Sequence, residues 1–297
     1  MKKFPPVLFL SLIFLAGTAL SGETLFPPIA PDVSRNGYVN DEQIFQHVEQ
    51  ELRRIIDGGK FTSTSTLIEQ LGQRRICEIK NLPKPRTTSL PPGEIYRQNL
   101  ASCLLVASTF KCPKCNNWHF NHAGATVLTE DGVAVTNFHV MNNRESPTMA
   151  AITSGGKLYP IVEVLAASEA DDIAIIRLDT HGDKLLPVPV EAVTPVGSGV
   201  TLISSPEGRF FTLSTGIVSR YFMERDHNRQ VPRVAMTADY AKGSSGSPLF
   251  NERGNVAGLV ATTHSIYYDV KNNVERNLQM VVKSCVPAES VLKLIKP

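Results

Sequence analysis

The chain has 297 residues, of which 42% are apolar, and its formal net charge is +2. This length and apolar content suit one large domain or two small ones, each with an ordinary hydrophobic core. A charge so close to neutral gives no electrostatic footprint for nucleic acid or for an anionic membrane surface, so neither partner is expected. The function must therefore be sought in a specific site.

The first 22 residues have the features of a secretory signal peptide. Lys2 and Lys3 precede an apolar run over 7–20, and Ala19-Leu20-Ser21 provides a small-x-small cleavage site. The run is shorter than the roughly 20 residues that a membrane-spanning helix needs, which favours cleavage over an uncleaved anchor. We expect a secreted or periplasmic protein with no stable membrane insertion after cleavage.

Residues 23–100 are expected to form a helical extension or a pro-segment. Apolar residues at helical spacing predict an amphipathic helix over 41–57, which Gly58-Gly59 ends. Thr66-Leu67-Ile68-Glu69 matches a capping box before a short helix ended by Gly72. A linker over 80–92 with four prolines follows, and then one more short helix over 94–101.

From about residue 102 the pattern changes to short apolar runs that alternate with turn signals. Twelve such runs predict an all-β barrel or sandwich domain of about 195 residues. The runs lie at 103–110, 124–128, 133–137, 149–153, 161–166, 173–178, 199–204, 212–221, 234–238, 247–250, 256–262 and 278–282. Pro287 predicts a closing helix over 288–295.

A glycine-flanked serine, Ser245, stands in the sequence GSSGSP. A serine hydroxyl becomes a nucleophile only beside a base, and glycines let the chain present N–H groups to a developing oxyanion. His139 follows an apolar strand at the start of a loop, and Asp172 stands at the mouth of another. A strand mouth suits an acid that fixes the tautomer of a histidine.

These three residues and their neighbours carry a resemblance to a known family. His139 in VTNFHV, Asp172 in DDIAIIRLD and Ser245 in GSSGSP resemble the trypsin-like serine peptidases, and most of all the bacterial HtrA/Deg-type branch. The order His, Asp, Ser is that of the chymotrypsin fold. The stretch 204–220 (SSPEGRFFTLSTGIVSR) also resembles the corresponding stretch of that branch.

The resemblance covers about residues 102–297 and leaves 23–100 outside it. It implies an all-β fold with two six-stranded β-barrels of the chymotrypsin type and a C-terminal helix, preceded by a short helical extension. The expected division is a signal peptide over 1–22, the extension or pro-segment over 23–100 and a peptidase domain over 101–297. Polypeptides are the implied substrates, and no metal or cofactor is expected.

Carried over to this sequence, the resemblance makes Ser245 the nucleophile and His139 the general base and then acid. Asp172 becomes the orienting acid and is preferred to Asp171 because it directly precedes Ile-Ala. The N–H groups of Gly243 and Ser245 would form the oxyanion hole. Losing a member of the triad or an oxyanion donor costs orders of magnitude in rate.

The sequence departs from the family in three places. Ser244 stands where the digestive enzymes have an aspartate that pairs with a freed N-terminus, so the oxyanion loop must be ordered in another way. Ser247 stands where many relatives have glycine, a change that is compatible with activity. Only residues 246–297 follow the nucleophile, so neither a PDZ domain nor cage assembly is expected, and the oligomeric state is left open.

The substrate preference and the presence of catalytic turnover are both left open by the sequence. Asp239 stands where trypsin has the acid that selects Lys or Arg, and Thr262 and Thr263 would form the pocket wall. If Asp239 lines the pocket floor, charge pairing predicts cleavage after basic residues. The alternatives are a glutamyl-type endopeptidase and a non-catalytic peptide-binding or sensor protein on the same fold.

The chain has five cysteines, at 77, 103, 112, 115 and 285. Export permits disulfides, and a bridge from Cys77 to Cys103 or Cys285 would tether the N-terminal region. For Cys112 and Cys115 a disulfide at a hairpin tip is favoured, and two alternatives stay open. One is a zinc site with His119 and His122, although four ligands within eleven residues are crowded. The other is a redox pair, which lacks the usual βαβ pattern.

Overall fold

The fold follows from a computed structural model that describes residues 38–112, 114–115, 118–226, 229–272 and 274–296. The predicted signal peptide and its cleavage site lie outside the described residues. Within the described ranges, no helix is long and apolar enough to cross a membrane.

Helix α1 (Asp41–Gly58) confirms the predicted amphipathic helix. The Asn40 side chain caps it by accepting the N–H of Gln43, and Gly59, with φ of 66°, ends it. Its fully buried positions share one face of the helix and are Ile44, Val48 and Leu52. This face packs into the core that the helix shares with both barrels.

Helix α2 (Thr64–Gln73) is present, but both of its predicted ends are wrong: the helix does not start from a capping box at 66–69, and it does not end at Gly72. Ser63 is the N-cap, and its hydroxyl accepts the N–H of Thr66. The helix also passes through Gly72, which nothing crowds. The Gln70 side chain accepts the N–H of Val164 at 2.7 Å, so a contact with a distant strand fixes this helix.

Strand β1 (Cys77–Glu78) and helix α3 (Pro92–Asn99) complete the N-terminal region. The predicted third helix therefore begins two residues earlier than expected, and a 3-10 turn over Leu100–Ser102 leads into the barrels. The proline-rich linker over 80–92 has no regular structure apart from its last residue, Pro92, which begins α3.

Six strands form the first closed barrel, with the order β2-β3-β4-β7-β6-β5 and antiparallel pairing throughout. The strands are β2 (Cys103–Lys111), β3 (Trp118–Val127), β4 (Val133–Thr136), β5 (Met149–Thr153), β6 (Leu158–Ser168) and β7 (Ile173–Leu178). A single helical turn, α4 (Phe138–Met141), separates β4 from β5.

Six more strands form the second closed barrel, in the order β10-β13-β12-β11-β8-β9. They are β8 (Gly199–Ser204), β9 (Thr212–Asp226), β10 (Arg229–Met236), β11 (Pro248–Asn251), β12 (Val256–Lys271) and β13 (Val274–Pro287). All twelve predicted strands are found, which confirms the two-barrel fold.

Two hairpins of the second barrel are longer than predicted. Strands β12 and β13 stay paired out to Lys271 and Val274, and β9 and β10 out to Asp226 and Arg229. Most residues in the outer part of β12–β13 are exposed, Tyr268 at 77%. A strand is predicted from the apolar residues of its buried face. The apolar pattern therefore ends where the hairpin leaves the core, although the strands continue.

The C-terminus returns to the N-terminal region. Helix α5 (Ala288–Leu292) is shorter than the predicted helix, because β14 (Ile295–Lys296) follows and pairs in parallel with β1. One core cluster includes Ile44 of α1, Leu105 of β2, Phe250 of β11 and Val291 of α5. The extension, both barrels and the last helix therefore share a continuous apolar interior.

Candidate active site

The first barrel brings His139 and Asp172 together. His139 lies in α4, directly after β4, and Asp172 precedes β7, which pairs with β4. The Nδ1 atom of His139 is 2.9 Å and 3.0 Å from the two carboxylate oxygens of Asp172. The backbone N–H of His139 also donates to Asp172 Oδ1 at 3.0 Å. The carboxylate thus fixes both the ring and the backbone of this histidine.

Asp172 is held in a special conformation. Its φ of 64° lies in the left-handed region, which is uncommon for non-glycine residues although aspartate tolerates it better than most. The Asn137 side chain donates to the Asp172 carbonyl at 2.9 Å. The neighbouring Asp171 turns the other way and accepts the hydroxyl of Ser168 at 2.7 Å. The structure therefore places Asp172, and not Asp171, against His139.

The second barrel presents Ser245 on a turn before β11. The carbonyl of Ser245 accepts the N–H of Gly124 at 2.6 Å, and the N–H of Gly246 donates to the Val260 carbonyl at 2.9 Å. Gly246 has φ of 78°, which favours glycine. Ser245 is half-buried. Backbone hydrogen bonds to β3 and to β12 thus position the serine between the two barrels.

His139 and Ser245 line the same cleft, which has a volume of about 760 Å³. The structure describes His139, Asp172 and Ser245, and among these three residues only His139 and Asp172 are joined by side-chain hydrogen bonds. The His139 side chain is 49% exposed and the Asp172 side chain 16%. Catalytic hydrogen bonds often tighten only when substrate is bound, so this cleft is compatible with proton transfer between Ser245 and His139.

The N–H groups of Gly243 and Ser245 have no hydrogen-bond acceptor within the described part of the chain. Gly243 has φ of 92°, and a Cβ there would lie 2.3 Å from His122 Nε2 and 2.8 Å from the Ser205 carbonyl. Only glycine fits this position, because the backbone conformation and the close approach both exclude a side chain. Both predicted oxyanion donors are thus available at the cleft.

The sequence did not reveal the aromatic support beneath Gly243. Phe45 of α1 packs against Phe120 and Phe210, with ring centroids 4.9 Å and 5.0 Å away, and edge-on against His122. Phe45, Phe120 and His122 also line the cleft. The sequence suggested His122 only as a zinc ligand, and no local signal could have found the contact with α1.

His122 sits among the backbone groups of the loop over 205–208. Its Nε2 atom is 3.0 Å from the Ser205 carbonyl and 3.2 Å from the Gly208 N–H, and the ring tautomer decides which contact is a hydrogen bond. Burial lowers the pKa of His122, against the opposing effects of the Ser205 carbonyl and Glu207, while Lys242 lowers it further. A neutral ring is therefore favoured beside Gly243.

Backbone contacts order the loop in which Ser244 replaces the usual aspartate. The N–H of Ser244 donates to the Ala241 carbonyl at 3.2 Å, and the Glu207 N–H donates to the Lys242 carbonyl at 2.7 Å. The buried hydroxyl of Ser244 has no hydrogen-bond partner among the described residues. These contacts act where an ion pair acts in the digestive enzymes.

The three predicted specificity residues do not line the cleft of His139 and Ser245. The Asp239 side chain is 90% exposed, and its carboxylate lies 3.5 Å from Lys283 Nζ. Thr263 is the cross-strand partner of Lys283, and the Thr262 carbonyl accepts the hydroxyl of Tyr240. The prediction that Asp239 forms a pocket floor gains no support from this placement.

All five cysteines are unpaired in the structure, so the predicted disulfides gain no support. Cys112, Cys115 and His119 form a cluster, whereas His122, the fourth candidate zinc ligand, lies at the cleft instead. Hydrogen bonds from the N–H groups of Cys115 and Lys114 lower the pKa of the thiol of Cys112, a half-buried residue.

Comparisons with known proteins agree with this geometry. The family model of the trypsin-like peptidase domain matches residues 123–259. A probable periplasmic serine endoprotease, DegP-like, of Halomonas elongata is 28% identical over 45% of this chain and 27% of its own length. Protease Do-like 1, chloroplastic, of Arabidopsis thaliana is 30% identical over 47% of this chain and 32% of its own.

A second DegP-like protein, from Hahella chejuensis, is 26% identical over 45% of this chain and 28% of its own length. The matches thus span less than a third of these curated relatives. They agree with the resemblance carried by the motifs around His139, Asp172 and Ser245, all three of which the family match includes. Residues 123–259 therefore match the trypsin-like peptidase domain model, and this part of the chain is similar to DegP-like serine endoproteases.

Proposed function

We propose that this chain is a serine endopeptidase that hydrolyses polypeptides through an acyl-enzyme intermediate, with Ser245, His139 and Asp172 as its triad. The observation that carries the proposal is the His139–Asp172 pair at the cleft that Ser245 also lines. The match of residues 123–259 to the trypsin-like peptidase domain supports it. Apart from substrate and water, the proposed chemistry uses only side chains and backbone groups of this chain.

In the first step, His139 takes the hydroxyl proton of Ser245 while the serine oxygen attacks the substrate carbonyl. The contact between His139 Nδ1 and Asp172 keeps Nδ1 protonated, which leaves Nε2 free to accept that proton. The same carboxylate stabilises the imidazolium that forms. Proton transfer of this kind contributes about 10²–10⁴ to the rate.

In the second step, the unpaired N–H groups of Gly243 and Ser245 bind the oxyanion. His139 then gives its proton to the leaving amine, and the acyl group stays on Ser245 until water, activated by His139, releases it. Loss of one oxyanion donor costs about 10²–10³ in kcat in enzymes of this chemistry.

Labelling with a fluorophosphonate tests the proposal. We expect one adduct on the Ser245 oxygen of the folded protein and hydrolysis of an unstructured protein such as casein, both lost in Ser245→Ala. A matched control is Ser244→Ala, because that hydroxyl has no hydrogen-bond partner among the described residues. The absence of an adduct on Ser245 in the folded protein would contradict the proposal and favour the peptide-binding or sensor alternative.

We propose that the protein acts outside the cytoplasm after removal of residues 1–22. The basic start and the apolar run of the sequence support this. The names of two bacterial relatives, which describe them as probable periplasmic proteins, agree with it. Cell fractionation with N-terminal sequencing tests the proposal, and a mature protein that begins at Met1 in the cytoplasm contradicts it.

We further propose that the helical region stays in the active enzyme as an extension and is not a removable pro-segment. Ile44, Val48 and Leu52 are fully buried in the core shared with both barrels, and Phe45 lines the cleft. Removing α1 would expose this apolar surface to water. Mass spectrometry of the labelled protein tests this, because a pro-segment predicts an active form that starts near residue 100.

The cleavage preference has two candidates. Preference for basic residues rests on Asp239, whose carboxylate is exposed and close to Lys283. Preference for acidic residues rests on Lys283. Its side chain is 13% exposed, and its ammonium donates to the Tyr240 carbonyl at 2.6 Å. A cation beside Thr263, a predicted wall residue, would attract a substrate carboxylate.

Digestion of a peptide library separates the two candidates. Cuts after Lys and Arg that Asp239→Asn abolishes support the basic preference. Cuts after Asp and Glu that Lys283→Met abolishes support the acidic one. A digest without either preference rejects both residues as specificity determinants.

A further inference from the structure

The tip of the β2–β3 hairpin carries a cluster of metal-binding side chains outside the cleft. The sulfurs of Cys112 and Cys115 and a ring nitrogen of His119 all lie within 4.8 Å of one another. Cys115 Sγ is 3.0 Å from His119 Nε2. Ligands of a tetrahedral zinc ion lie roughly 3.5–3.8 Å apart, given Zn–S near 2.3 Å and Zn–N near 2.0 Å. The three donors are thus close to the positions that one ion needs.

The hairpin itself holds these side chains in place. Lys111 and Trp118 are paired across β2 and β3, so the loop that carries both cysteines is closed at its base. His119 is opposite Phe110, and their rings are in contact with centroids 5.9 Å apart.

We propose that Cys112, Cys115 and His119 bind one zinc ion at the tip of the β2–β3 hairpin, with water as the fourth ligand. Two soft sulfur donors and one imidazole form a set that suits zinc better than magnesium or calcium, which prefer oxygen. Binding releases the thiol protons and forms two Zn–S bonds and one Zn–N bond, with no change of oxidation state. Cys112 is half-buried and the other two ligands are exposed, so an ion can enter.

This site is independent of the proposed peptidase activity, but it is connected to the cleft by strand β3. Phe120 directly follows His119, lines the cleft and packs against Phe45. An ion that closes the hairpin tip therefore also steadies the strand on which this contact rests. A disulfide between Cys112 and Cys115 is the competing chemistry, since it consumes both sulfurs.

The test uses the full chain with Ser245→Ala, which prevents self-digestion, purified without chelator or reductant and supplied with zinc. We expect one zinc ion per chain by elemental mass spectrometry. After exchange with cobalt, we expect the near-ultraviolet sulfur-to-cobalt band and the visible bands of tetrahedral Co²⁺. Cys112→Ser and His119→Ala should each lose stoichiometric metal and weaken the cobalt bands, with far-ultraviolet circular dichroism as the check on folding.

The matched control is Cys77→Ser, a half-buried cysteine outside the cluster, which should keep the full zinc content. A metal-free protein whose intact mass is lower by two hydrogens, with the bridge mapped to Cys112 and Cys115, overturns the proposal. Equal zinc loss in the control variant, or zinc retained in both ligand variants, also overturns it.

Discussion

In the first barrel, side-chain hydrogen bonds join His139 to Asp172, whereas in the second barrel backbone hydrogen bonds hold the Ser245 turn. The carboxylate of Asp172 contacts both the ring and the N–H of His139. The Ser245 turn depends instead on the carbonyl contact with Gly124 and on glycines with positive φ. The two halves of the cleft should therefore fail for different reasons.

In the first barrel, which relies on side-chain contacts, activity should fall when a substitution changes the chemical group but keeps its shape. In the second barrel, which relies on backbone contacts, activity should fall when a substitution changes the shape without adding a polar or charged group. The substitutions described next separate these two sensitivities, and the aromatic support from α1 adds a third contribution to the same cleft.

Ser245→Ala should have the largest effect, because in the proposed mechanism the Ser245 oxygen is the atom that bonds to the substrate. We expect kcat for peptide hydrolysis to fall by about 10⁶. Hydrolysis of a fluorogenic peptide measures this, with Ser244→Ala as the neighbouring control that keeps activity. Comparable activity in Ser245→Ala and the unchanged protein would assign the hydrolysis to another residue.

Asp172→Asn keeps the shape in the first barrel but changes the chemical group. We expect kcat to fall by about 10⁴, because an amide does not hold the His139 tautomer that leaves Nε2 free to accept a proton. Asp171→Asn is the matched control, since that side chain bonds to Ser168 and not to His139. The same kinetic assay decides, and equal losses in both variants contradict the assignment.

Gly243→Ala tests the backbone of the second barrel. The new Cβ would meet His122 and the Ser205 carbonyl, so the loop must shift and misplace an oxyanion donor. We expect kcat to fall by about 10²–10³ while the circular dichroism stays unchanged. Gly72→Ala in α2 is the control, because nothing lies within 4 Å of its Cβ position. Full activity in Gly243→Ala rejects this oxyanion arrangement.

Phe45→Ala removes the side chain by which α1 supports the cleft. We expect the free energy of unfolding to fall by about 2 kcal/mol, since Phe45 is half-buried, and kcat/KM to fall about tenfold. Phe61→Ala, another half-buried phenylalanine of the N-terminal region away from this cleft, should lower stability but leave kcat/KM unchanged. Equal kinetic losses in the two variants would mean that stability alone is responsible.

The smallest expected effect is a pH dependence of stability from His122. Burial lowers its pKa in the folded state below the unfolded value of about 6.5, so the unfolded chain binds more protons between the two values. The free energy of unfolding should therefore fall as pH drops through about 6.5 towards the folded pKa, by at most about 1.4 kcal/mol per pH unit.

Urea unfolding between neutral and mildly acidic pH measures this dependence. His122→Gln keeps a polar side chain near the Ser205 carbonyl but does not titrate, so its stability should change less with pH. Glu207 and Lys242 are the charged groups that act on His122, and both stay in the variant. Identical pH dependence in the variant and the unchanged protein removes His122 as the cause.

The sequence by itself determined the twelve strands, whereas the proximity of His139 and Asp172 was implied by the resemblance to trypsin-like peptidases. The signals for the strands are local, since an apolar run bounded by turn residues specifies a strand within a few positions. The bounds predicted for Ile173–Leu178, for example, are those observed. The pairing of β4 with β7, which brings His139 and Asp172 together, is a long-range contact that no local pattern specified.

Only the tertiary structure decided what surrounds these residues. Several features depend on contacts between segments far apart in sequence. They are the cap of α2, the outer parts of β12 and β13, the exposure of Asp239 and the packing of Phe45 on His122. Such contacts leave no periodicity in either segment, because each side chain is selected by its partner's shape and not by its own neighbours. That is why His122 could be recognised in the sequence only as a candidate ligand, and in the fold as support for Gly243.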